Sequence, residues 1–174
     1  MPRQRTRILT AVAAVAAVAA LAGAAAISMP ARATPPSPDV STTILARSLF
    51  DRIHVRAHAD TADRWRALLK THGQSDVYVV DNKLPPGATT GWHSHPGPSL
   101  ILVVAGSVTN YPGADPRCRP RVYPAGAGFI DPGGGDVHMV RNETDAPAET
   151  IAVQLLPKDA VRRIDAPAPG NCPA

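Results

Sequence analysis

Three histidines, His93, His95 and His138, are the residues whose type and spacing could do chemistry in this sequence. His93 and His95 stand two apart, and in a strand residues i and i+2 share a face. Two imidazoles on one face form a ready pair of ligands for a divalent transition metal. His138 is a third candidate, set in a Gly-rich stretch. Ser99, Trp92, Tyr78 and Tyr111 are the candidates for lining a pocket beside such a centre. Other chemistries lack their signatures. No G-x-S-x-G elbow occurs. Gly133 to Gly135 precede neither a Lys nor a helix pattern, so they are not a phosphate loop. Asp131 and Asp136 flank that turn and could approach the site, but no spacing makes them an acid/base pair. His54, His58 and His72 fall in no pattern and read as solvated. Asn142 reads as a turn residue bonding local backbone, and Trp92 as a packing residue before a ligand platform.

The elements that must position these side chains are strands. Ser75 to Leu84 carries the β-branched run Val77-Tyr78-Val79-Val80, and Leu100 to Ala105, Ser107 to Tyr111, Val137 to Arg141 and Glu149 to Leu156 read the same way. Ile53 and Val55 alternate with polar neighbours, which predicts a strand there, and Asp63 to Lys70 reads as a strand before a helix. Pro85-Pro86-Gly87, Gly106, Pro124 to Gly128 and Pro132 to Gly135 supply turns. Many short strands between Gly/Pro turns, with no long amphipathic helix, predict an all-β sandwich or barrel.

The N-terminus reads as a secretory signal peptide over residues 1–33. Arg3, Arg5 and Arg7 precede an uncharged Ala/Val run from Ile8 to Ile27, and Ala31-Arg32-Ala33 fits the small-residue cleavage rule. The run is about long enough to span a bilayer, so an uncleaved anchor is the competing reading. The formal net charge of +4 resides in Arg3, Arg5, Arg7 and Arg32, so a chain cut after Ala33 is balanced. No basic run remains in that chain to suggest a nucleic-acid partner. Residues 34–41 are Pro-rich and read as a flexible linker, 42–157 as the folded domain and 158–174 as a polar tail. Two cysteines, Cys118 and Cys172, read as a disulfide in an exported chain, tying the tail to a mid-chain loop.

Two spaced motifs carry a resemblance to the cupin superfamily. The first, G-x5-H-x-H-x3/4-E-x6-G, is read on Gly87, His93, His95, Ser99 and Gly106, with Ser99 in place of the Glu. The second, G-x5-P-x-G-x2-H-x3-N, is read on Gly126, Pro132, Gly134, His138 and Asn142. The resemblance implies a single cupin-type β-barrel or jelly roll, with His93, His95 and His138 as ligands to Mn, Fe, Ni, Cu or Zn inside its mouth. It also implies a small organic ligand or substrate, oxygenase, isomerase or lyase chemistry, and a homodimer as an option. Ser99 is the departure. A neutral, short hydroxyl does not replace the fourth ligand that a Glu gives most metal-binding cupins. That leaves open coordination positions, which suits catalysis, and equally suits a non-catalytic metal or small-molecule binder.

Overall fold

The computed structural model describes residues 32–172. Apart from Arg32 and Ala33, the leader expected over 1–33 lies outside the described residues. The described chain is built of strands. β1 (Ser41–Phe50), β4 (Ser75–Leu84), β6 (Ser99–Ala105), β9 (Gly128–Asp131) and β11 (Ala148–Pro157) form one five-stranded sheet, ordered β1-β4-β11-β6-β9. β5 (His93–Ser94), β7 (Ser107–Pro112), β8 (Arg121–Pro124), β10 (His138–Arg141) and β12 (Ile164–Asp165) form a second, ordered β12-β5-β10-β7-β8. β2 (His54–His58) and β3 (Arg66–Lys70) make a separate hairpin. All pairings are antiparallel, and the non-consecutive order is that of a jelly roll.

The pleat explains which side chains meet. Along β11, Ala148, Thr150, Ala152, Gln154 and Leu156 are buried while the residues between them are not. Along β6, Ser99, Ile101 and Val103 face inward, whereas Leu100, Leu102 and Val104 stand about half exposed on the outer face. Tyr78, Val80, Leu84, Val108, Phe129 and Val140 join the inward apolar residues in one core. A second cluster, Trp92, Tyr111, Cys118 and Met139, packs with the Cys118–Cys172 disulfide. That bond closes 54 residues, a loop worth about 4 kcal/mol on the chain-entropy account. Gly106 is required where β6 turns into β7. Its φ is +66°, and a Cβ there would stand 2.4 Å from the Pro147 carbonyl oxygen.

Three segments differ from the sequence expectation. Residues 41–50 form β1, an edge strand whose side chains are all exposed, so no burial pattern announced it. Residues 34–37, read as part of a mobile linker, are bonded to distant chain. Thr34 N–H donates to the Ala166 carbonyl (3.0 Å), Trp92 N–H to Thr34 Oγ1 (2.7 Å) and Ser37 N–H to the Thr89 carbonyl (2.8 Å). The region read as tail contributes β12, which pairs with β5 at Ile164↔Ser94 and Asp165↔His93. These placements depend on backbone bonds to remote segments, which composition does not encode.

Asn142 was expected to bond local backbone, and its reach is wider. It is fully buried, and its Nδ2 donates to the carbonyls of Leu84 (2.9 Å), Pro85 (3.1 Å) and Ala146 (2.8 Å), clamping the β4 end to the turn before β11. Asp76, 1% exposed, accepts two bonds from Arg47, Nε at 3.0 Å and Nη2 at 2.8 Å, and one from Asp159 N–H at 2.8 Å. The Arg47 guanidinium and the Asp159 amide hold its carboxyl below the usual carboxylate range.

Two outcomes follow. Asn142→Ala removes a donor from three carbonyls, of which those of Pro85 and Ala146 keep Ala88 N–H and Thr144 Oγ1, and should destabilise the fold by about 2 kcal/mol in urea unfolding; a loss under 1 kcal/mol would contradict the clamp. Because the Asp76 pKa is lowered by folding, its contribution is complete above the unfolded value. It is lost as pH falls through the lower folded value. Asp76→Asn should therefore lower Tm near neutral pH, and the gap from wild type should close below about pH 4. A gap independent of pH would count against the ion pair.

Candidate metal centre

The ladder of the second sheet brings two of the histidines side by side. His138 on β10 pairs in register with His93 on β5, and His93 is in turn paired with Asp165 of β12. His95 follows one residue beyond β5 and shares the inward face with His93. Ring centroids are 4.5 Å apart for His93 and His138, 4.9 Å for His93 and His95, and 5.7 Å for His95 and His138. One ring nitrogen from each lies within 4.8 Å of the others, and all three residues are buried. The turn that aims His138 is tight. Gly133, Gly134 and Gly135 all have positive φ, and a Cβ on Gly133 would stand 2.1 Å from the Gly97 carbonyl oxygen. This turn also departs from the second motif's spacing, since three residues separate Gly134 from His138 where the motif has two. The run of glycines absorbs the extra residue.

Hydrogen bonding fixes the tautomers. His93 Nδ1 lies 2.9 Å from the Gly91 carbonyl oxygen and His95 Nδ1 2.6 Å from that of Arg162. A carbonyl only accepts, so both Nδ1 atoms carry the proton and both Nε2 atoms present lone pairs. The Gln154 amide 3.3 Å from His95 Nδ1 is therefore not its donor; that amide is satisfied by Ser99 Oγ, also at 3.3 Å. His138 Nε2 stands 3.2 Å from His93 Nε2. Burial pushes the basicity of all three rings down, His138 to about 3, and the charge of Arg163 pushes the same way. The bonds to the Gly91 and Arg162 carbonyls oppose the shift at His93 and His95. The rings are thus neutral at ordinary pH, the form that ligates metal.

A carboxylate approaches the same nitrogens. Asp131 Oδ2 is 4.0 Å from His95 Nε2 and 3.9 Å from His138 Nε2. With neutral rings these are not ion pairs. Asp131 Oδ1 accepts from Gly133 N–H at 3.1 Å, whereas Oδ2 is buried without a hydrogen-bond partner. Burial raises this carboxyl to about 6, against the Gly133 bond and with help from Asp136.

The donor set fits a divalent transition metal. Three neutral imidazole nitrogens, two of them held in the correct tautomer by backbone carbonyls, match the nitrogen ligation such ions favour. At bond lengths near 2.1 Å, two ligands on one ion stand at most about 4.2 Å apart, so the widest pair here draws in by up to about 0.6 Å.

The histidines line a cavity of about 100 Å³ between the sheets. Ser99 lines it, as expected; Trp92, Tyr78 and Tyr111 do not. Trp92 and Tyr111 belong to the disulfide-side cluster, where the Tyr111 hydroxyl donates to Glu143 at 2.5 Å, and Tyr78 belongs to the main core. Asn82, Thr150, Gln154, Arg162 and Arg163 are wall residues that sequence reasoning did not single out. For Asn82, Thr150 and Gln154 the pleat parity of β4 and β11 was the available signal. For the two arginines there was none, because they come from the tail. Arg162 Nη1 donates to Gln154 Oε1 (3.2 Å), and Arg163 donates to Asp165 (2.7 Å) and the Thr90 carbonyl (2.7 Å). Desolvation lowers the basicity of both. His54, His58 and His72 are exposed, and an open groove of about 740 Å³ along the β2–β3 hairpin contains none of the clustered histidines.

A family model described as a cupin domain matches residues 82–154. No curated protein matches the chain. Among solved structures, the chain is similar to an uncharacterized conserved protein with a double-stranded beta-helix domain from Klebsiella pneumoniae subsp. pneumoniae. That match has 19% identity and a TM-score of 0.44, and covers 67% of this chain and 84% of that one. It is similar to a Cupin 2 conserved barrel domain protein from Salinispora arenicola, at 22% identity over 47% of this chain and 64% of that one, TM-score 0.41. It is also similar to the polyketide cyclase RemF from Streptomyces resistomycificus, at 17% identity over 55% of this chain and 65% of that one, TM-score 0.44. Likenesses this distant say nothing about activity.

Loss of two ligands has a direct readout. A metal that binds only the folded chain at 100 times its dissociation constant adds about 2.7 kcal/mol. His93→Ala with His138→Ala should abolish the rise in Tm on adding Zn²⁺ or Mn²⁺. A double variant that shifts like wild type would remove these residues from the centre.

Proposed function

We propose that this chain, whose residues 82–154 match a cupin domain, is a metal-dependent cupin acting on a small anionic organic molecule. The observation that carries the reading is the convergence of three buried, neutral imidazoles on one point facing a cavity. A divalent metal held there by His93, His95 and His138 supplies Lewis-acid or oxygen-activating chemistry.

The chain's own residues define what can enter. A cavity of about 100 Å³ holds roughly the volume of three liquid waters. That excludes drug-sized ligands, which need several hundred Å³. Arg162 and Arg163 bring two guanidinium groups to the same wall. A carboxylate on the ligand answers them by charge-assisted bonds. Asn82, Thr150 and Ser99 add polar contacts that orient a small acid to a wall whose apolar part is formed by Pro36, Val40, Leu84, Ile101, Val140 and Ala152. A few polar groups converging in a mostly apolar cavity favour catalysis over passive capture, and oxygenase chemistry is the first reaction class to test. Export from the cytoplasm is part of the proposal, supported by the Cys118–Cys172 bond, since such bonds persist in oxidising compartments. The second reading, a binder without turnover, is favoured by the replacement of a cavity-side carboxylate by Ser99, which leaves no general base there.

Elemental analysis of purified protein, followed by oxygen uptake with small carboxylic acids, diketones and phenols, separates the two. Near one equivalent of metal with turnover on at least one compound is expected. Carboxylic acids should bind at least about tenfold tighter than their amides. Bound metal without turnover on any compound would favour the binder, and protein that takes up no metal would end both readings.

A further inference from the structure

We infer that Asp131 supplies the fourth protein ligand of the metal centre, across the strand pair from the position where Ser99 replaced a carboxylate. The inference rests on the metal-binding reading above and deepens it. β6 and β9 pair with Ser99 directly opposite Asp131. Directly opposed residues of an antiparallel pair project to the same side about 5 Å apart. A carboxylate on β9 therefore lies on the same side of the sheet as Ser99 and reaches the rings from the wall. Both residues are buried, Ser99 at 1% and Asp131 at 3% exposure. Ser99 is itself occupied, since its hydroxyl accepts the Gln154 amide. Asp131 is half-anchored: Gly133 N–H fixes Oδ1 and orients Oδ2 toward the rings.

What Oδ2 faces is the deciding observation. It lies 3.9 and 4.0 Å from two ring nitrogens, beyond hydrogen-bond range. His95 Nε2 has no proton to give, because Nδ1 holds it against the Arg162 carbonyl. His93 Nε2 is in the same state through Gly91. A buried carboxylate oxygen without a partner thus shares a small space with the Nε2 lone pairs of His93 and His95. Acceptors turned toward one another need a cation between them. Separations of 3.2, 3.9 and 4.0 Å fall inside the roughly 4.2 Å that two ligands on one ion can span, and the widest histidine pair, within 4.8 Å, closes on the ion. Asp131 is not a cavity-lining residue. It approaches from the wall, so its ligation leaves the cavity side of the ion open to a small molecule.

Asp131→Asn keeps the shape and the Gly133 bond and removes the charge. Affinity for Zn²⁺ or Mn²⁺, measured by chelator competition on wild type and variant, should fall about 100-fold. A fall of less than about threefold would overturn the inference. The same titration on wild type, if it detects no binding, overturns the metal reading and this inference with it. Infrared difference spectra of wild type labelled with ¹³C-aspartate give a readout that needs no variant. Metal addition should shift carboxylate bands, and a spectrum without such a shift would remove Asp131 from the coordination sphere even if Asp131→Asn failed to fold.

Discussion

Burial of the imidazoles governs this molecule. Three rings enclosed between two sheets cannot afford charge, so they stay neutral and keep their lone pairs. Enclosure would be costly for polar groups left unpaired, and most around them are paired. Gly91 and Arg162 carbonyls take the His93 and His95 Nδ1 protons, and Gln154 links Ser99 to Arg162. One buried oxygen facing the ring nitrogens, Asp131 Oδ2, escapes that pairing. The polar framework is thus complete except where a cation would sit.

The positions that deliver these groups are set by strand register. His138↔His93 across β10 and β5, and Ser99↔Asp131 across β6 and β9, are directly opposed pairs in different sheets. A slip of one residue in either pairing would turn a site residue outward. The turns hold those registers. Gly133 fits against the Gly97 carbonyl where no side chain could, and Asn142 ties the β4 end to the turn before β11.

The two ends of the described chain meet beside the site and line its cavity. Thr34 bonds Ala166 and Trp92, and Ala33 bridges Pro167. β12 adds to β5 beside His93, and the stretch just before it contributes Arg162 and Arg163 to the cavity and the carbonyl that fixes His95. The Cys118–Cys172 bond anchors the end of this stretch beside the Trp92 cluster. Segments that read as linker and tail are therefore part of the site's wall.

From residues alone came the all-β class, because β-branched runs between Gly/Pro turns commit locally to strands, and the three histidines, because their spacing within two motifs is a local property. Asp76, Asn142 and Asp131 show the limit. Their types were visible, but whether each is clamped, paired or stranded depends on what lies across a sheet. Tyr78, Trp92 and Tyr111 are cavity candidates by residue type with packing the favoured reading, and the fold packs them in the core clusters away from the cavity. Arg162 and Arg163 carry no signal at all in a Pro-rich tail. Only the folded chain decides these, since register and the enclosure of a shared volume are relations between distant segments.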